Sequence, residues 1–154
     1  MRKFFLTLLL GTLSCICFLA IAPMPVIAAS SMPQAQLSET IDNFLTSLPR
    51  DYYTIKNTEA LKSIVKNDHA SLIDVRQPSE YTSGHIPSAI NIPLETLMAN
   101  LDKVPRNHPV IIYCTTGYRS AMGVMTLQML GYANVRGFPP SIQGWKAAGE
   151  PLEK

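Results

Sequence analysis

The chain has 154 residues, with 13 Lys and Arg against 11 Asp and Glu and a formal net charge of +2 at pH 7. Two of the basic residues, Arg2 and Lys3, head an apolar N-terminal stretch. Without that stretch the charges balance, and no basic run or stripe remains to mark a nucleic-acid surface or a patch for anionic lipid.

Behind Arg2 and Lys3, Phe4 to Leu13 is apolar apart from Thr7, Gly11 and Thr12, and apolar sequence continues to Ile27. Val26-Ile27-Ala28 offers small or modest residues where a signal peptidase reads. Residues 1–29 are therefore expected to be a signal peptide, cut after Ala28 or Ala29, which makes the protein exported, periplasmic or extracytoplasmic. The stretch is also long enough to span a bilayer, for which ~20 apolar residues suffice. Pro23 and Pro25 would disrupt the second half of such a helix, so membrane attachment is expected only if the signal is retained. A lipid-modified Cys15 is disfavoured, because Leu13 sits one position too close and the apolar run continues past the cysteine. About 125 residues then remain, enough for one core and not for two.

Residues 30–51 read as a short linker, Ser30 to Gln36, and an amphipathic helix on which Ile41, Phe44, Leu45 and Leu48 have helical spacing before Pro49. Tyr52 to Ile55 is a short strand candidate. Thr58 is placed to cap a second helix with Leu61, Ile64 and Val65 as its apolar stripe. Ser71 to Val75 is a strand, Pro78 to Tyr81 a helical turn, Gly84-His85-Ile86-Pro87 a breaker, and Ala89 to Ile92 another strand. Pro93 opens a helix through Leu101. Val110 to Tyr113 is the most apolar strand, Ser120 to Leu130 a helix ended by Gly131, Ala133 to Val135 a strand, and Ile142 to Ala148 a last helix.

Strands alternating with helices in this way predict an α/β fold, a small parallel β-sheet flanked by helices on both faces. Such sheets bind ligands at the carboxyl ends of their strands. Cys114 stands there, in Val110-Ile111-Ile112-Tyr113-Cys114-Thr115-Thr116-Gly117-Tyr118-Arg119-Ser120. Cys15 and Cys17 lie within the signal, so Cys114 has no intramolecular partner, and a leftover thiol in an oxidising compartment is a candidate working group. Backbone N–H groups of the turn and the positive end of the following helix can converge on its sulfur and stabilise a thiolate. Gly117 allows a positive φ and close approach of a substrate. Arg119 adds a cation with a fork of donors. The loop reads as an anion cradle with a nucleophile at its base.

Several separate runs resemble the rhodanese homology domain. Leu72-Ile73-Asp74-Val75-Arg76-Gln77-Pro78-Ser79-Glu80-Tyr81 and Gly84-His85-Ile86-Pro87-Ser88-Ala89-Ile90-Asn91-Ile92-Pro93 are similar to its front half. Tyr113 to Ala121 resembles its active-site loop. Gly131 to Val135 and Gly144-Trp145-Lys146-Ala147-Ala148-Gly149 resemble its back half. The resemblance covers residues 52–152 in the family's order, and the Leu37 to Arg50 helix resembles an extension of some exported single-domain members.

The resemblance implies a sulfurtransferase. Cys114 would take a sulfane sulfur from a small donor such as thiosulfate, hold it as a persulfide, and pass it to a thiol, to cyanide or to a protein acceptor. The amides of Thr115, Thr116, Gly117, Tyr118, Arg119 and Ser120 would hold the charged outer sulfur, and no metal or organic cofactor is implied. Four residues lie between Cys114 and Arg119, one fewer than in the related phosphatases and arsenate reductases; the tighter ring suits a single sulfur rather than a tetrahedral oxyanion. Those two activities, and a non-catalytic persulfide carrier or interaction module, are the alternatives. The chain departs from the family in having Phe138-Pro139-Pro140-Ser141 where a Gly-Gly pair is common, and Ser88 where glycine is common.

Each residue also has a plainer reading. Cys114 as a core thiol and Arg119 as a helix-start ion pair are the two that bear on the site. Asp74 reads as a cap or turn acceptor, Arg76 as an ion-pair partner, and Glu80 as structural. His85 reads as a packed turn histidine, Trp145 as a packing anchor, and Met122, Met125 and Met129 as helix core. Tyr118 is expected either to line the pocket mouth or to shield the loop. His69 and His108 precede strands, at the end of the sheet opposite Cys114, which argues against a Cys-His pair.

Overall fold

The computed structural model describes residues 33–48 and 55–154. The expected signal and the Tyr52 to Thr54 part of the first strand candidate lie outside the described residues; Ile55 is buried but not in a strand. The elements in chain order are α1 (Gln34–Ser47), α2 (Thr58–Asn67), β1 (Ser71–Asp74), α3 (Pro78–Thr82), β2 (Ile90–Asn91), a 3-10 segment (Leu94–Lys103), β3 (Val110–Tyr113), α4 (Tyr118–Met129), β4 (Val135–Gly137) and α5 (Ser141–Ala147). Among the described residues no helix is long and apolar enough to cross a membrane.

The strands form one parallel sheet in the order β2-β1-β3-β4. β1 and β3 run in register from Ser71 opposite Val110 to Asp74 opposite Tyr113. β3 lies between β1 and β4 and all four of its residues are buried, as a strand covered on both faces requires. Successive side chains alternate between faces. Val110 and Ile112 pack with Val124 and Leu127 of α4 and with Leu97 of the 3-10 segment. Ile111 and Tyr113 pack with Leu61 of α2 and Ile142 and Trp145 of α5. Cys114, continuing the alternation, faces α4.

Several boundaries differ from those expected, each for a local reason. Asn57, not Thr58, caps α2: its side chain accepts from the Ala60 N–H at 2.8 Å, and Thr58 is the first helical residue. The helix expected after Pro93 is a 3-10 segment, broken where Asn100 leaves helical geometry at φ −125°; tight turns of this kind serve as short connectors. α4 begins at Tyr118, two residues early, because Gly117 at φ 103° turns the chain straight into it. β4 starts at Val135 rather than Ala133, since the Asn134 side chain is bound to the carbonyls of Pro105 and His108 and its own carbonyl accepts from Val110. Met122 is not core: it is 60% exposed, and the buried face of α4 is carried by Ser120, Gly123, Val124 and Leu127, with Met125 and Met129 half-buried. α1 forms at about its expected place but buries no residue fully.

Candidate active site

Two features lock the carboxyl ends of β1 and β3, directly before Cys114 in the case of β3. Asp74, last in β1, and Arg76 form a buried ion pair, Nη2 to Oδ2 at 2.6 Å, and Arg76 also donates to the Gly84 carbonyl at 2.9 Å. Tyr113, last in β3, accepts the Ile86 N–H at 3.1 Å and hydrogen bonds Asp74; burial first, and then the Asp74 charge, raise its phenol well above the ordinary range. These groups tie the breaker at Gly84 to Ile86 to the carboxyl ends of β1 and β3. Asp74 and Arg76 therefore take the structural roles the sequence suggests.

Cys114, the residue after β3, is 1% exposed and is the free cysteine among the described residues. The Gly117 N–H donates to its Sγ at 3.2 Å. Burial pushes the thiol up, but the backbone N–H groups of Ser120, Gly117 and Thr116 and the Ser141 hydroxyl outweigh it, so the thiol titrates below its ordinary value. The Ser120 hydroxyl donates to the Gly117 carbonyl at 2.8 Å and lies 3.9 Å from Sγ. Gly117 is required for space as well as φ: a Cβ there would lie 2.9 Å from the Pro139 carbonyl oxygen.

Of the other loop residues, Thr115 and Arg119 turn to a common partner on α3. Arg119 donates to both oxygens of Glu80, at 2.6 and 2.8 Å, and to the Thr115 hydroxyl at 2.7 Å, while Thr115 donates to Glu80 at 3.0 Å. The Arg119 guanidinium first, against the opposing effect of burial, holds the Glu80 carboxyl at about 2. The plainer reading of Arg119 as an ion pair thus describes its state in this structure. Tyr118 is 82% exposed and stands out in solvent at the start of α4.

Ser141 has a place at the site that the sequence pattern did not assign. It is fully buried, its Oγ accepts the Cys114 N–H at 3.2 Å, and that Oγ is 3.8 Å from Sγ. The one signal for it was the departure at Phe138-Pro139-Pro140-Ser141. The start of α5 also clamps the loop from behind: the Ile142 and Gln143 N–H groups donate to the carbonyls of Cys114 and Thr115 at 3.1 and 3.3 Å.

The histidines stay away from the sulfur. His85 is buried, stacked on Tyr81 with ring centroids 3.8 Å apart, and is joined to Glu153 through backbone bonds. His108 bonds the Ser71 hydroxyl at the amino end of β1. Trp145 packs in the core and donates its Nε1 proton to the Pro151 carbonyl at 2.7 Å, as a packing anchor does.

The family model described as Rhodanese-like domain matches residues 57–148. The chain is 32% identical over 81 residues to a protein named sulfurtransferase from Allochromatium vinosum, an alignment covering 53% of this chain and 76% of that one. It is 33% identical to the thiosulfate:glutathione sulfurtransferase of Saccharomyces cerevisiae, covering 59% of this chain and 76% of that one. Among solved structures it is similar to a rhodanese-related protein from Thermoplasma volcanium, with TM-score 0.57 and 30% identity, covering 64% of this chain and 97% of that chain.

Proposed function

Because the chain belongs to the rhodanese-like domain family, we propose that it is a sulfurtransferase working through a persulfide on Cys114. The observation that carries this reading is the thiol itself: a buried sulfur held by inward-pointing backbone N–H groups, with its titration displaced toward the thiolate. In the first half-reaction the Cys114 thiolate attacks the outer sulfur of thiosulfate. The donor's S–S bond breaks, sulfite leaves with the electron pair, and the new persulfide carries its negative charge on the outer sulfur. The loop amides are the groups available to stabilise that charge without a cation. In the second half-reaction a thiol or cyanide attacks the outer sulfur and the electron pair returns to Sγ.

Thiosulfate as donor is supported by the name of the Saccharomyces cerevisiae relative, while the six-residue ring from Cys114 to Arg119 supports sulfur transfer over phosphatase chemistry. The apolar N-terminal sequence supports an exported setting, which fractionation of cells expressing the full chain tests directly.

The deciding experiment is intact mass of the protein incubated with thiosulfate and then with cyanide, beside a Cys114→Ser control. A gain of one sulfur atom's mass, absent from the control and removed by cyanide, is the expected result. A reduced Cys114 that gains nothing from thiosulfate overturns that donor. Release of phosphate from a generic ester, dependent on Cys114, would replace the reading with a phosphatase.

A further inference from the structure

We propose that Ser141 is a positioning residue for the nucleophile, whose hydroxyl swings between the Phe138 carbonyl and Sγ and so stabilises Cys114 whenever charge resides on that sulfur. The backbone of Ser141 is left-handed, at φ 52°, and the residue is fully buried. Serine adopts this region at a cost that glycine avoids, and strain at such a position is kept only where the surroundings enforce it. What the strained backbone brings with it is an oxygen within 3.2 Å of the Cys114 N–H and 3.8 Å of Sγ.

The hydroxyl proton is free to move. Ser141 Oγ donates to the Phe138 carbonyl at 2.9 Å, but that carbonyl already accepts the Ser141 backbone N–H at 3.0 Å. Turning the proton to Sγ leaves no buried acceptor unsatisfied, and the oxygen keeps a lone pair for the Cys114 N–H. Ser120 cannot substitute on that side, since its hydroxyl approaches Sγ from α4 at 3.9 Å and donates to Gly117.

The role rests on the sulfurtransferase reading for its timing. Before attack, Sγ is a thiolate and takes the proton's hydrogen bond. In the persulfide the charge has moved to the outer sulfur and the hydroxyl returns to Phe138. On discharge the acceptor bonds the outer sulfur, the S–S bond breaks and its electron pair goes to Sγ, where Ser141 again donates. A stabilised thiolate is also the better leaving group, so discharge is the step that gains.

The test compares wild type, Ser141→Gly and Ser141→Ala by the pH dependence of Cys114 alkylation with iodoacetamide, by single-turnover discharge of the persulfide to cyanide, and by thermal unfolding. Of the charged groups, Arg119 from α4 interacts electrostatically with Cys114, and it and its partner Glu80 from α3 are fixed in charge across the neutral range; Asp74 and Arg76 form the neighbouring ion pair, and α5 presents the Ser141 hydroxyl. For Ser141→Gly, where release of the left-handed strain offsets the lost acceptor of the Cys114 N–H, the expected result is little-changed thermal stability, an alkylation midpoint at higher pH, and alkylation and discharge about three- to tenfold slower below that midpoint, as loss of one net hydrogen bond of ordinary strength gives. Ser141→Ala moves the midpoint the same way. An alkylation profile in Ser141→Gly that superimposes on wild type overturns the proposal, whatever its stability. A shifted profile in a protein that takes no sulfur from any donor retains the role of Ser141 and discards the sulfurtransferase reading.

Discussion

The guanidinium of Arg119 lies 2.6 Å from Oε2 of Glu80 and spans both carboxylate oxygens, so the loop's cation faces a countercharge thirty-nine positions earlier in the chain. Each side chain is about a third exposed, at 32% and 35%. The pair therefore contributes little to stability, within about 1 kcal/mol, and its importance is electrostatic.

Glu80→Gln should leave that cation uncompensated at the mouth of the site. Steady-state kinetics with thiosulfate are expected to show KM lowered severalfold, with thermal stability changed by no more than about 1 kcal/mol. A raised KM would mean that the pair acts by holding Thr115 and the loop in place.

The displaced thiol makes stability depend on pH. In the unfolded chain Cys114 returns to an ordinary value near ~8.5, above its folded one. A depressed group contributes fully above its unfolded pKa, and the contribution disappears as pH falls through the folded pKa. Wild type should thus gain on Cys114→Ser in thermal unfolding as pH rises through the lowered folded pKa and up to the unfolded value of ~8.5. A difference that is constant over this window would contradict the lowered titration.

Asp74→Asn removes one partner of a buried pair whose side chains are 0% and 5% exposed, and leaves the Arg76 cation stranded. The expected loss is ~3–5 kcal/mol, because breaking such a pair costs far more than replacing both members. Chemical denaturation measures it. A loss under about 1 kcal/mol would show that water or a neighbouring acceptor compensates Arg76.

Gly117→Ala combines a positive φ with a contact that cannot be accommodated in place, 2.9 Å from a backbone oxygen. The loop must shift, taking with it the N–H that donates to Sγ. The expected outcome is ~1–3 kcal/mol of destabilisation together with a Cys114 alkylation midpoint moved to higher pH. An unchanged midpoint would show that the Gly117 amide is not among the groups controlling the thiol.

How far the sequence reached can be seen at individual residues. Val110 to Tyr113 is a continuous apolar, β-branched run with a glycine-containing turn behind it, and both the strand and the cradle around Cys114 were legible because they depend on local chain geometry. The partner of Arg119 was not, since spacing along the chain carries no information on which carboxylate a distant turn delivers. Ser141 was hidden for a different reason: nothing in the chemistry of serine announces a left-handed backbone, and only the missing glycines hinted that the position was unusual. Asn57 and Thr58 are adjacent and both can cap, with Asn the better of the two, so the ordering of capping preferences already favoured the cap that forms. The start of β4 depended on Asn134 finding two carbonyls from the loop before β3, a contact no local pattern encodes.

The clamp of α5 on the loop bears on how the chemistry responds to its surroundings. The carbonyls of Cys114 and Thr115 are held from outside by Ile142 and Gln143, so the peptide planes that carry the Thr115 and Thr116 N–H groups have little freedom to turn. Water around an ion must reorient each time the charge moves; dipoles anchored in this way have already taken their final orientation. In the proposed sulfur transfer, charge passing from Sγ to an outer sulfur and back would then ask little rearrangement of the backbone, the Ser141 hydroxyl proton being the group that turns. Viscosity and cosolvents should then act on the arrival and departure of the small molecules, and leave the bond exchange itself nearly untouched.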